Sequence, residues 1–307
     1  MKGRLRHIKT FAKEDRHMKR KLSILTTIIF VLFALTGMSQ AKDFSLKLTG
    51  GYGTMTVGDY NSFGEGFESL FDVLVAGGAA KQGEFKSLKW GVEGEGEIIF
   101  KLPAGLGIGI GVGYIQRSNE SDLGVTIPLL GEFNLNLQPD LTAIPINLSA
   151  YYFTPGVVPL KLFAYGGVGY YFGKINHIFR VDMSPPAYWE QTEGDIKGQG
   201  FGFHGGAGLE FNFIPKVSFF VEGRARYCKL TSWEGDETSR DSDGATDSQS
   251  GTLWYFEALD TNFGTGQWFS ALTLSDTQPA GAEVRNVRKY EADLSGFILR
   301  VGIRIKF

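Results

Sequence analysis

Three glutamates stand at alternate positions, Glu93, Glu95 and Glu97. Because side chains two residues apart in a β-strand lie on the same face, a strand here would bring three carboxylates together. Clustered carboxylates can perform acid–base catalysis, but basic residues alternate in the same way elsewhere in the chain, so ion pairing is the simpler interpretation. We predict one charge network, made of Lys47, Glu93, Glu95, Glu97, Glu210, Glu222, Arg224, Arg226, Arg300, Arg304 and Lys306.

Two histidines, His177 and His204, follow the N-terminal region. A histidine can activate a serine nucleophile when a third group orients it, but neither histidine lies in a recognisable catalytic context. The sequence also lacks a G-x-S-x-G nucleophile motif. Cys228, the single cysteine, is expected to be a small buried side chain. We therefore predict no enzymatic activity, no catalytic residue and no cofactor.

An acidic segment, Asp241-Ser242-Asp243-Gly244 with Asp247, is similar to a calcium-binding loop, which needs several oxygen ligands around a glycine turn. The bidentate glutamate at the twelfth position of such a loop is missing. A solvated acidic loop is the simpler interpretation, so no metal site is predicted, and calcium binding stays open.

The elements that carry these residues are predicted by strict alternation, which is clearest at the end of the chain. One face of this segment is apolar and the other carries Ile298, Arg300, Gly302, Arg304 and Lys306. Transmembrane barrel strands alternate in this way between lipid and lumen. The apolar face is also the predicted assembly signal, and it consists of Phe297, Leu299, Val301, Ile303, Ile305 and Phe307.

Eight segments show this alternation and are predicted to be strands. They cover about 43–57, 87–102, 106–117, 140–153, 160–175, 199–213, 217–231 and 293–307. We predict an all-β membrane protein whose fold is a closed, antiparallel, up-and-down, eight-stranded transmembrane β-barrel. Closure is required because an open strand edge in lipid would leave backbone N–H and C=O groups without partners.

The links between these strands alternate in length. Those at 103–105, 154–159 and 214–216 are short, whereas the predicted loops at about 59–86, 118–139, 176–198 and 232–292 are long. Outer-membrane barrels combine short periplasmic turns with long extracellular loops. This pattern places both ends of the chain on the periplasmic side.

The first long loop contains apolar residues with helical spacing, namely Phe63, Phe67, Leu70, Phe71 and Leu74. Two interpretations stay open for them. They form a short helix that covers the barrel mouth, or they contact a hydrophobic ligand or lipid.

The N-terminal segment has the order typical of a secretory signal peptide. Lys19-Arg20-Lys21 precede an apolar run from Leu22 to Leu35, and Ser39 and Ala41 provide small residues for cleavage. We predict that residues 1–41 are an N-terminal extension plus signal peptide, with the natural start at Met18 and cleavage after Ala41. Residues 42–307 are then the barrel with its loops.

Charge limits the choice of partners. Residues 1–41 hold nine of the 31 Lys and Arg but two of the 33 Asp and Glu, so the rest of the chain carries a net charge near −9. Phosphate binding needs clustered positive charge. We therefore expect no nucleic-acid partner.

Several glycine- and aromatic-rich segments resemble a known family. They are Ile144–Leu148 with Tyr151–Phe153, Phe163–Phe172 and Gly202–Glu210, and in order and spacing they resemble the outer-membrane-protein β-barrel domain family of Gram-negative bacteria, the OmpA/OmpW-like eight-stranded barrels. The resemblance covers most of the chain after residue 41. It implies a porin-like fold in the cell outer membrane, with outer-membrane lipid and the barrel assembly machinery as partners.

The predicted function follows from the fold and the charge network. We expect a non-enzymatic barrel with a salt-bridged lumen that displays extracellular loops for surface contact, including a possible extracellular ligand, or for envelope integrity. The alternative is a narrow OmpW-like conduit for small hydrophobic or ionic solutes. The lumen of an eight-stranded barrel is just wide enough for its own side chains, which favours the first interpretation.

Overall fold

The computed structural model describes residues 44–155 and 160–307. The predicted signal peptide and its cleavage position at Ala41 lie outside these residues. The elements, in chain order, are β1 (Phe44–Thr54), α1 (Asp59–Ala76), β2 (Ala80–Glu84), β3 (Trp90–Lys101), a short 3-10 helix (Pro103–Gly105), β4 (Leu106–Ser118), β5 (Ser121–Ile127), β6 (Gly131–Phe153), β7 (Leu160–Ser184), β8 (Tyr188–Ile214), β9 (Val217–Asp241), β10 (Thr246–Leu259), β11 (Trp268–Ser275), β12 (Val284–Lys289), β13 (Ala292–Asp293) and β14 (Gly296–Lys306).

Eight of these strands form a closed antiparallel ring. Their order is β1, β3, β4, β6, β7, β8, β9 and β14. β14 closes the ring because it pairs with β1 on one side and with β9 on the other. Every backbone edge inside the ring therefore has a partner, as a strand in lipid requires. The predicted fold class is confirmed.

An apolar band covers the outer face of the ring. On β7 it runs from Leu160 to Phe172, and on β8 from Phe213 to Phe201. The next outward residue on β7 is Lys174, which pairs with Asp195 of β8 at 3.0 Å. A tilted transmembrane strand needs about 9–11 residues. The change from apolar to charged residues therefore marks the end of the membrane-spanning part.

The strands do not end where the apolar band ends, and here the predicted loops were wrong. The ladder between β7 and β8 continues without interruption to Met183 and Tyr188, so residues 176–198 are paired strands around a tight turn. β6 begins at Gly131 rather than near residue 140, and β9 continues to Asp241. We call the part of β6 to β9 beyond the apolar band the extension. In it, backbone hydrogen bonds replace lipid contact as the reason for strand structure, which the polar outward side chains had hidden.

The first and last long connections are also structured. Residues 59–86 contain α1 and β2, and β2 pairs with β5. Residues 232–292 contain the end of β9 followed by β10, β11 and β12, which pair with one another around β10. Asp59 in the first turn of α1 accepts two hydrogen bonds of 2.5 Å from the guanidinium of Arg288, the penultimate residue of β12, which fixes the helix against this sheet.

In the described part of the chain, no helix combines the length and the hydropathy that are needed to cross a membrane. The aromatic and leucine side chains of α1 pack against protein instead, whereas Val73 and Val75 near its end are exposed. Leu70 and Phe71 are buried, and Phe71 belongs to a core with Leu123, Val125 and Leu135 from β5 and β6.

Candidate functional site

The centre of the ring interior is an ion-pair cluster around Lys47 of β1. Its ammonium group lies 2.8 Å from a Glu222 carboxylate oxygen and 3.7 Å from one of Glu97. Arg300 of β14 reaches the other oxygen of Glu222 at 2.8 Å. All four residues are at most 2% exposed. Two glutamates are thus held by two cations inside the barrel wall.

Glu95 of β3 pairs with two arginines, one of which, Arg300, also pairs with Glu222. Arg224 of β9 donates to one of its oxygens at 2.6 Å, and Arg300 approaches the other at 3.2 Å. Asn147 of β6 also donates to Glu95, at 2.7 Å. Side chains from β3, β6, β9 and β14 therefore meet on one carboxylate, which ties opposite walls of the ring together.

Two further groups lie above and below this centre. Toward the extension, Glu93 pairs with Arg226 at 2.8 Å. Toward the opposite end of the barrel, Glu210 pairs with Arg304 and, at 2.8 Å, with Lys306. The structure therefore places all eleven residues of the predicted network on the inner face and joins each of them to another member.

Sequence reasoning missed one member, Arg117 at the end of β4. It is 1% exposed and lies 3.4 Å from Glu93. The inward positions from 107 to 113 are glycines, followed by the buried Ile115, and a Cβ at Gly109 would lie 2.2 Å from a Glu97 carboxylate oxygen. These glycines leave room for the glutamates of β3. The available signal was the alternation along β4. Gly111, Gly113 and Arg117 are an even number of positions apart and therefore lie on the same face.

An aromatic layer surrounds Lys47 and was also missed. Its ammonium group lies 4.7 Å from the ring centroid of Tyr165 and 5.3 Å from that of Tyr151. The Tyr151 hydroxyl donates to Glu97 and accepts from Lys47. Desolvated cation–π contacts of this kind stabilise buried cations. The alternation with outward Leu148 on β6 and outward Leu162 on β7 would have placed Tyr151 and Tyr165 inside.

An apolar core closes the end of the lumen that faces the extension. Met55 comes from the link between β1 and α1, Tyr290 from the link after β12, and Trp233 from β9. Tyr290 and Trp233 are fully buried and Met55 is 2% exposed. Cys228 lies in the same core and is fully buried. Moving a charge into an apolar environment is unfavourable. This core is therefore a barrier between the ion pairs of the lumen and the extension.

The two histidines occupy different compartments. His204 of β8 contacts Ser149 Oγ at 3.0 Å inside the lumen, where the two residues are 6% and 3% exposed. Its Nδ1 has no hydrogen-bond partner within the described chain. His177 of β7 lies in the extension, where its Nε2 is 3.3 Å from a Glu237 carboxylate oxygen. That pair lines a cavity of about 330 Å³.

The acidic segment forms a hairpin turn. The Asp241 carboxylate accepts hydrogen bonds from the backbone N–H groups of Asp243 and Ala245, at 3.0 and 2.9 Å. A carboxylate that closes its own turn explains the local sequence without a ligand. Over residues 44–155 and 160–307, no three His, Cys, Asp or Glu side chains are grouped so that they could hold a metal ion.

The predicted assembly residues lie on the outer face of β14. Leu299 and Val301 are 59% and 60% exposed, in the middle of the apolar band. At the end of the chain, the Phe307 ring stacks on Phe44 with a centroid distance of 4.7 Å.

A closed ring of eight strands with an apolar outer band and a charged interior defines a transmembrane β-barrel of the outer-membrane class. The chain belongs to the outer membrane protein beta-barrel domain family, whose sequence profile matches residues 27–256. It is therefore an outer-membrane protein. No curated protein matches the chain.

Solved structures that resemble this chain are outer-membrane proteins at low sequence identity. Neisserial surface protein A is 12% identical over 86% of this chain and 97% of that chain, with a TM-score of 0.37. A major outer membrane protein from Thermus thermophilus is 14% identical over 86% and 98%, with a TM-score of 0.39. Ail, the attachment invasion locus protein of Yersinia pestis, is 9% identical over 86% and 98%, with a TM-score of 0.29.

Proposed function

We propose that this protein is a closed, non-enzymatic barrel that holds a folded extracellular extension at the cell surface, for surface contact or envelope integrity. The observation that carries the proposal is the filled lumen. Lys47 is fully buried at the level of the ion pairs, and Trp233 is fully buried in the apolar core above it. An eight-stranded barrel has no room for a water-filled channel beside such side chains.

The surroundings of the histidines support a non-enzymatic role. A serine hydrolase needs a histidine that a third group orients and that a substrate can reach. His204 and Ser149 are enclosed by the barrel wall. In the extension, the hydroxyls of Thr192 and Ser239 pair with each other at 2.7 Å, while His177 faces Glu237.

Planar-bilayer recording of the refolded full chain tests the proposal. We expect no stepwise conductance above that of the bare bilayer, because hydrated ions cannot pass the apolar core. The rival function, a narrow conduit for small ionic or hydrophobic solutes, predicts reproducible conductance steps and would replace the proposal if they appear. A sixteen-stranded porin recorded in parallel shows that insertion is detected. Slower migration of boiled than unboiled protein in a detergent gel shows that the inserted chain is folded.

A further inference from the structure

The cavity in the extracellular extension has the size of a small-molecule site. Its volume of about 330 Å³ lies at the lower end of the range that such sites occupy. One wall is formed by the first half of α1, and the others by the extracellular ends of β7, β8 and β9 together with β10 and β11. It lies beyond the apolar core of the lumen, in the part of the strands that carries polar outward residues.

One side of the cavity is aromatic. Phe63 and Phe67 of α1 have ring centroids 5.2 Å apart in a T-shaped arrangement, and both lie near Phe179 of β7, at 6.0 and 6.2 Å. Three rings from two elements thus form a cage. Aromatic faces attract cations through their quadrupole and also hold apolar groups.

The other side of the cavity is acidic. Glu237 of β9 is 8% exposed, and its carboxylate accepts a hydrogen bond of 3.0 Å from Gln249 and faces His177 at 3.3 Å. Glu190 of β8 is a second, exposed carboxylate on the lining. The described lining contains two carboxylates and one imidazole but no lysine or arginine, so its carboxylates outnumber its basic groups.

The backbone of β8 is adapted to this arrangement. Gly194 stands opposite His177 in the β7–β8 ladder, and a Cβ at this position would lie 2.4 Å from the imidazole Cε1. The glycine therefore leaves the space in which the ring contacts Glu237. The Glu237 carboxylate therefore lies on the inner face of β9 and not in solvent.

We infer that the cavity binds a small organic cation, with an ammonium group on an aromatic or branched apolar body. The ammonium group donates hydrogen bonds to Glu237, and the apolar body contacts the cage of Phe63, Phe67 and Phe179. The inference rests on outward display of the extension, as in the proposed function. It does not depend on a closed lumen, so the conductance result and the binding result are independent.

Calorimetric titration of the refolded full chain in a nonionic detergent, which carries no ammonium group that could compete, tests the inference with three probes of one shape. They are 2-phenylethylammonium, the neutral 2-phenylethanol and the anionic phenylacetate. A hydrogen bond to a charged group contributes enough for a difference of about tenfold or more in affinity. We therefore expect the ammonium to bind at least about tenfold more tightly than the alcohol, and phenylacetate not to bind.

Variants locate the site. Glu237→Gln should weaken ammonium binding about tenfold, and Phe179→Leu about threefold through the lost ring face. Glu190→Gln, at an exposed position that does not threaten folding, should weaken it by a smaller factor. The matched control is Glu234→Gln, which removes the same charge from an exposed position three residues away on β9 and should leave binding unchanged.

Three outcomes overturn the inference. They are no binding of the ammonium at millimolar concentration, equal binding of the ammonium and the alcohol, and ammonium binding that Glu237→Gln and Glu190→Gln leave intact in protein that still migrates as a folded barrel.

Discussion

At the level of single residues, the buried glutamates differ in how many cations they face. Glu222 lies between Lys47 and Arg300, whereas Glu97 has Lys47 as its one cationic partner among the described residues. Removal of one partner from a buried pair leaves an uncompensated charge, which costs more than the pair contributes. The consequence of a substitution therefore depends on which carboxylate loses its last cation.

Lys47→Met should destabilise the barrel strongly because it leaves Glu97 with the Tyr151 hydroxyl but no cation. We expect a loss of about 3–5 kcal/mol in the free energy of unfolding, measured by urea titration in lipid vesicles. Arg300→Gln should cost less, since Glu95 keeps Arg224 and Glu222 keeps Lys47.

The control for this prediction is the double variant Lys47→Met/Glu97→Gln, in which the stranded carboxylate is neutral. It should recover part of the lost stability, and the coupling energy follows from the four-variant cycle. Equal unfolding midpoints for the single and double variants would contradict the charge argument.

Asp260, at the end of β10, gives a prediction about pH. Burial would raise the pKa of its carboxyl group, but hydrogen bonds from the Thr265 hydroxyl and from the backbone N–H groups of Phe263 and Thr265 outweigh it and hold the pKa below the ordinary value. A lowered pKa in the folded state stabilises the loop above the unfolded-state value of 3.8. This contribution is lost as the pH falls below 3.8 and through the folded-state pKa.

We therefore expect the amide protons of Phe263 and Thr265 to lose protection from hydrogen exchange below about pH 4, the range in which an aspartate ordinarily titrates. Asp260→Asn should show the weaker protection already at about pH 7, where the wild-type carboxylate is fully ionised. Protection in the wild type that stays constant down to about pH 2, well below the ordinary range of an aspartate, would contradict the assignment.

The inward residues could be predicted from the sequence, but their partners could not. A period of two assigns each side chain to the lumen or to lipid, and that assignment gave the eleven charged residues. Which residues meet across the lumen depends on strand register and tilt, which one strand does not encode. Arg117 was missed for a related reason, since the predicted strand ended at residue 117. No later inward residue was left to confirm that Arg117 belongs to the alternation.

At the level of elements, hydropathy marks the membrane boundary and not the end of a strand. Polar outward residues such as Lys174 and Asp195 follow the apolar band, yet their backbones remain paired. An alternation of apolar and polar residues that arises from lipid contact therefore predicts the transmembrane part of β7 well and the part in the extension poorly. The helix over residues 59–76 was easier, because its 3.6-residue period persists whether protein or lipid covers it.

Val301→Lys tests the outward face of β14. Val301 is 60% exposed in the middle of the apolar band, so a lysine there should cost about 2–4 kcal/mol of folding free energy near the bilayer midplane. The measurement is reversible unfolding in lipid vesicles, with Val301→Leu as the apolar control.

A second control for this variant is Thr231→Lys, on an exposed position of β9 beyond the apolar band, which should cost close to nothing. If Val301→Lys folds as well as the parent and the protein stays soluble without detergent, the outer face does not contact lipid.

At the level of the whole molecule, much of the sheet lies outside the membrane. β8 has 27 residues and β7 has 25, so at about 3.3 Å per residue β7 is about 80 Å long. A membrane crossing uses about 9–11 residues of such a strand. The rest forms, with α1 and β10 to β12, a folded layer with an apolar core of its own around Phe63, Phe71 and Leu123.

This layer predicts an unusual resistance to proteases. Irregular loops are cut readily at exposed sites, whereas Lys174, Arg180 and Lys197 of the extension lie in paired strands. In vesicles of the refolded chain, trypsin should therefore leave these three sites intact over times at which boiled protein is digested completely. Lys89, exposed in the link between β2 and β3, which is not part of a strand, should be cut first. Mass spectrometry of the fragments identifies the sites, and cleavage after Lys174 and Lys197 as fast as in boiled protein would show that the extension is not a folded layer.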